Sequence, residues 1–173
     1  MIRWLGQRDR FRCVPIALVN VLKWLKIEDF YGLSINERLA KKEMTEICHA
    51  KPLTGAPIIL MEYILKNLQI KYYIRKSKLN SAKVRKWIKN SKLLLIVSNI
   101  PSSHAFIISN CSYVKGEGYK YKCINLVSDG TSVKYVNTAI INEILHPARR
   151  PIIYIISPKD KKGKDYECKS KDL

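Results

Sequence analysis

Residues 13–25 (CVPIALVNVLKWL) are apolar except for Asn20 and Lys23. A pattern apolar on every side predicts a helix buried all round. Ser34-Ile-Asn-Glu37 matches a capping box, in which hydroxyl and carboxylate satisfy N–H groups at a helix start, and predicts a helix to about His49. A loop over 51–57 leads to a third helix through Asn67, with Pro57 suited to its first turn. Residues 70–74 read as a short strand, and 81–90 as a helix with Val84, Trp87 and Ile88 on one face. From Leu93 the period changes. Residues 93–98 and 104–109 are β-type apolar runs, and Gly116-Glu-Gly118 turns into 119–127, where Tyr119, Tyr121, Cys123 and Asn125 alternate with Lys120, Lys122, Ile124 and Leu126. Asp129-Gly130 signals a tight turn before a strand over 132–136. A helix over 139–145 and a strand over 152–157 complete the pattern. Helices first and antiparallel strands afterwards mean α+β, in one domain over residues 1–157. Residues 158–173 are basic and polar and are expected to form a flexible tail.

The chain has 173 residues, 47% of them apolar, which is enough for one well-filled core. No apolar run reaches the ~18–20 residues that span a bilayer, so no transmembrane segment is expected. The N-terminus (MIRWLGQRDR) lacks a signal-peptide core, and a cytoplasmic protein is expected. Charge alters the picture more: 32 Lys+Arg against 14 Asp+Glu give +18. Such a field attracts nucleic acid, anionic membrane surfaces or acidic proteins. The charges are spread along the chain, however, so a solvated lysine-rich surface is the plainer account. Arg3, Arg8, Arg10 and Arg12 are distinct in surrounding Cys13. Five cysteines (Cys13, Cys48, Cys111, Cys123, Cys168) with no C-x-x-C pair give no zinc spacing, and no metal or cofactor is expected. Cys111 and Cys123 could meet across a hairpin, but reduced core thiols are expected.

Cys13 falls at the first turn of the buried helix, where helix polarity and neighbouring cations favour a thiolate nucleophile. The plain alternative is a small buried hydrophobe. Gln7, six positions earlier, can aim an amide N–H at an oxyanion beside the sulfur. His104 is the candidate base, ahead of His49 at a helix end and His146 in a loop. Asn125 is the candidate orienter of its ring, with Asp129 as competitor in turn chemistry. Cys, His and Asn, widely separated in that order, suit a cysteine-dependent acyl transferase or hydrolase.

These residues resemble the papain-like cysteine peptidases, specifically the C39-like (bacteriocin-processing) branch. The pattern there is Gln, five residues, Cys-Gly-Pro and an apolar helix, then a Thr/Ser-containing loop, a strand, a His opening the next strand, and Asp or Asn about twenty residues on. Here stand Gln7, Cys13-Val14-Pro15, Leu53-Thr54-Gly55, residues 93–98, His104-Ala-Phe-Ile-Ile and Asn125, covering roughly 3–157. The resemblance implies a papain-like fold, with an N-terminal helical half carrying Cys at a helix start packed on a C-terminal antiparallel sheet. It also implies a peptidase or isopeptidase acting through a Cys13–His104–Asn125 triad and a Gln7 oxyanion hole on a peptide substrate. Two departures stand out: Val14 replaces the usual Gly where substrate passes, and Asn125 lies in Ile-Asn-Leu instead of Asp-Pro. The rival of another class is a degenerate papain-fold binding module whose basic surface engages nucleic acid or an acidic protein.

Overall fold

A computed structural model describes residues 2–99 and 103–158. In chain order the elements are α1 (Cys13–Trp24), β1 (Asp29–Phe30), β2 (Leu33–Ser34), α2 (Glu37–Lys41), α3 (Glu43–Ile47), α4 (Ile58–Asn67), β3 (Tyr72–Arg75) and α5 (Ser81–Lys89). They continue with β4 (Leu93–Asn99), β5 (Ser103–Val114), β6 (Gly118–Ile124), β7 (Val133–Asn137), α6 (Thr138–Ile144), a 3₁₀ turn (Pro147–Arg149) and β8 (Ile152–Ile156). Six strands form one antiparallel sheet in the order β3-β8-β4-β5-β6-β7.

The sheet separates two cores. Successive strand residues face opposite ways, so Leu93, Leu95, Val97, Ala105, Ile107, Tyr154 and Ile156 pack under α1 to α4. Leu94, Ile96, Phe106, Ile108, Ile153 and Ile155 join Val84 of α5 and Ile141 of α6 on the other side. Coverage on both faces is why β4 and β8 read as unbroken apolar runs rather than alternating ones. It also places α5 away from the other early helices, a division that a simple helical half on a sheet half does not contain.

Helix α1 is buried from Cys13 to Leu22, wedged between the sheet and the other helices. Pro15 is tolerated because first-turn N–H groups lack intrahelical acceptors. Asn20 is fully buried, and its amide exchanges two bonds of 2.9 Å with the N–H and C=O of Leu5. The N-terminal arm is therefore pinned to α1 by a side chain acting as backbone.

Several boundaries differ from the sequence pattern. Asn36, not Ser34, caps α2, accepting the Leu39 N–H at 3.0 Å, and Ser34 lies in β2. The helix expected to reach His49 breaks at Lys42 (φ −115°, ψ −83°) into α2 and α3. Strand β5 is longer than expected, and it carries an irregularity between Ile108 and Asn110. One extra residue there shifts parity, which keeps Cys111 on the side of Phe106 and Ile108. The proposed tail from 159 onward, Cys168 included, lies outside the described residues.

Candidate active site

The site begins with the arm. An added Cβ on Gly6 would lie 2.5 Å from Gly130 O, so the backbones of residues 6 and 130–132 touch directly. Gly130 N–H then donates to Gln7 O at 2.7 Å. Gln7 is fully buried. Its Nε2 donates to the Asp9 carbonyl, and its Oε1 accepts from Asn125 Nδ2 at 3.3 Å. Asp9 in turn takes the Phe11 and Arg12 N–H groups at 3.1 and 2.9 Å and pairs with the Arg12 guanidinium at 2.9 Å. That carboxylate ties down the turn leading into α1, whose N-cap residue Arg12 makes no side-chain cap bond.

Cys13 opens α1, and its sulfur meets the backbone N–H groups of Ala105, Val14 and Cys13. Ala105 follows His104 in β5, and α1 packs on that strand, so the start of the helix and the His104 end of β5 are neighbouring elements. Both side chains are nearly enclosed, 6% and 7% exposed. Burial pushes the Cys13 thiol above its ordinary value, against the three N–H groups, and Asp9 adds to the rise. Burial therefore works against the thiolate that helix polarity and neighbouring arginines were expected to favour. Arg12 is held by Asp9, and Arg3, Arg8 and Arg10 extend into solvent. Burial likewise lowers His104, with the Asn125 carbonyl opposing it. Burial thus opposes the charged form of each group.

Asn125 lies one residue past β6 in the left-handed region (φ 59°), rather than within a strand over 119–127. Ile107 pairs with Ile124, so a regular ladder would bring residue 127 opposite His104. The left-handed turn instead presents the Asn125 main-chain carbonyl, which accepts from His104 Nε2 at 2.7 Å. A carbonyl only accepts, so Nε2 carries the proton and Nδ1 is the free base. The side chain does different work. Its Nδ2 reaches Gln7 Oε1 and Ala105 O, both at 3.3 Å, while Oδ1 is buried without a partner. Contact with the imidazole is thus made by residue 125, through its backbone and not its amide.

Asp129 is exposed, and its carboxylate accepts the Thr131 N–H at 2.7 Å, which holds its pKa down. It closes a turn and makes no bond to His104. His146 is exposed, with its Nδ1 accepting the Ala148 N–H, and His49 is an exposed left-handed residue after α3. Val14 is 3% exposed, and its side chain packs into the core under the sheet. The Leu53-Thr54-Gly55 loop closes through a Lys51–Gly55 bridge, and Gly55 lies against Phe11 O near the start of α1. Cys48 and Cys123 are buried thiols pushed up to about 12, and Cys111 is a half-buried one.

Sequence reasoning passed over three contributors: Ala105, which binds both Cys13 and Asn125 through its backbone; Asp9, which holds Gln7 and α1; and Asn20, whose only signal was polarity inside an apolar run. Among the described residues no group of three or more His, Cys, Asp or Glu side chains is placed to hold a metal, and no helix is long and apolar enough to cross a membrane.

No protein-family model and no curated protein matches the chain. Among solved structures, it is similar to the peptidase domain of Streptococcus ComA, a bifunctional ABC transporter involved in a quorum-sensing pathway. The TM-score is 0.59 at 13% identity, over 90% of this chain and 99% of that domain. The α+β expectation, with Cys at a helix start packed on an antiparallel sheet, is met, and the chain has the fold of a C39 peptidase domain.

Proposed function

We propose that this protein is a cysteine peptidase or isopeptidase-type hydrolase with Cys13 as nucleophile. The observation that carries the reading is the tie between α1 and β5: Cys13 sulfur on the Ala105 N–H, one residue from a His104 whose Nε2–H is fixed on Asn125 O. His104 Nδ1 takes the thiol proton as the sulfur attacks a peptide carbonyl carbon. The Cys13 backbone N–H and the second N–H of the Gln7 amide hold the oxyanion, and the Asn125 carbonyl steadies the imidazolium. Imidazolium then protonates the leaving amine. Water, activated by the same ring, cleaves the thioester, releases the acid and restores the thiol.

A non-catalytic binding module is the rival reading, favoured by burial that opposes the charged forms of Cys13 and His104 and by a Gln7 amide engaged with Asp9. A peptidyl electrophile decides between the two. On the enzymatic reading it labels Cys13, and both Cys13→Ala and His104→Ala abolish turnover of a fluorogenic peptide library. Labelling spread over Cys111 with Cys13 untouched, together with no turnover, would sink it.

A further inference from the structure

A concavity lies beside the N-terminal arm, against α1, α2 and β6. Its volume is about 690 Å³, the size of a small-molecule site rather than of a protein-docking face. Five cations from three separate segments line it: Arg3, Arg8 and Arg12 from the arm, Lys41 from α2 and Lys122 from β6. Two carboxylates stand among them, and each is already engaged. Asp9 binds Arg12 at 2.9 Å, and Glu37 binds Lys41 at 2.6 Å.

Arg3, Arg8 and Lys122 have no carboxylate within ion-pair distance among the described residues. Arg12 also keeps a buried Nε donor with no acceptor in the pocket wall. Like charge also crowds Arg3 from outside the pocket lining, where Lys23 donates to Arg3 O at 3.0 Å. Burial and then the Arg3 charge push that ammonium below its ordinary range. Neighbouring cations repel one another, two carboxylates do not balance five of them, and an unpaired buried N–H costs free energy, so the pocket has room for a further anion. Trp4 supplies an aromatic wall.

We infer that this pocket binds a small polyanion carrying two or more phosphate groups, gripped by Arg3, Arg8 and Lys122. Phosphate suits the setting because one compact group carries nearly two charges and accepts several donors, and arginine forks match its oxygens. An acidic peptide would need a longer groove to deliver the same charge. Asp9 and Glu37 exclude the ligand from their ends of the pocket and thereby orient it. Gly6, Arg8 and Asp9 also flank Gln7, so the ligand would lie against both chain neighbours of that residue. The inference is independent of peptidase activity.

The test is calorimetric titration of inorganic tripolyphosphate into the full chain in 0.15 M NaCl, where diffuse attraction to exposed charge is largely screened. One saturable site is expected. Arg3→Ala, Arg8→Ala and Lys122→Gln should each weaken it about tenfold, the equivalent of ~1.4 kcal/mol. Lys66→Ala on α4 and Lys83→Ala on α5 should leave it unchanged, with thermal melts showing that all five variants fold. Absence of saturable binding, or equal weakening by the distant lysine variants, would overturn the inference. So would tighter binding of deca-glutamate than of tripolyphosphate at the same three residues, which would make the pocket a peptide site.

Discussion

At Cys13 two opposed effects act on one sulfur. Burial disfavours the thiolate, three backbone N–H groups favour it, and burial prevails. Alkylation of Cys13 by iodoacetamide should therefore rise with pH beyond the ordinary thiol range of about 8.5, with no plateau near pH 6. A rate already level at pH 6 would instead reveal a preformed ion pair. Residue 125 permits an equally sharp test, because its carbonyl and its side chain have separate partners. Asn125→Gly keeps the carbonyl and relieves the positive φ, whereas Asn125→Ala loses the same amide bonds and adds left-handed strain of roughly 1–2 kcal/mol. The Gly variant should be the more stable of the two in urea by about that amount, and should keep more turnover. The sequence made Cys13, His104, Gln7 and Asn125 legible because their side chains announce chemistry. It could not reveal that position 125 reaches His104 through its backbone, or that Ala105 joins the site, since main-chain groups are common to every residue.

The arm and the 130–132 loop behave as one element joined by contact of bare backbone. Gly6→Ala forces a methyl to 2.5 Å from Gly130 O and 2.8 Å from Ser132 N, and neither can swing aside as a side chain would. A cost of about 1–3 kcal/mol is expected, by analogy with overpacked cores. Because Gln7 is the next residue, hydrolysis should slow by more than the stability loss explains. Unfolding and kinetics measured on the same variant check this, and unchanged kcat/KM would separate the arm from the chemistry. Elements with strong periodicity were readable: α1 from its apolar wrap, β4 from its unbroken run. Where reading failed, competing local chemistry had won. Asn36 outbid Ser34 as a cap, and the backbone turned at Lys42 inside what the pattern made one helix.

Across the whole molecule, acid stability should report on His104. Burial lowers its pKa, so below the unfolded value of about 6.5 the unfolded chain takes up a proton that the folded one resists. Stability from this group is full above that pH and is lost as pH falls toward the lower folded value. Tm should drop between pH 7.5 and 5.5, and drop less in His104→Gln; identical slopes would rule out His104 as the cause. The sheet that divides the two cores has a practical corollary. Cys13, Gln7 and the cationic pocket all belong to one side, while α5 with its exposed Lys83 and Lys89 rides on the other. A fluorophore, affinity handle or sensor surface fixed through α5 would sit across the sheet from Cys13 and the cationic pocket, so immobilised protein should bind tripolyphosphate as the free protein does.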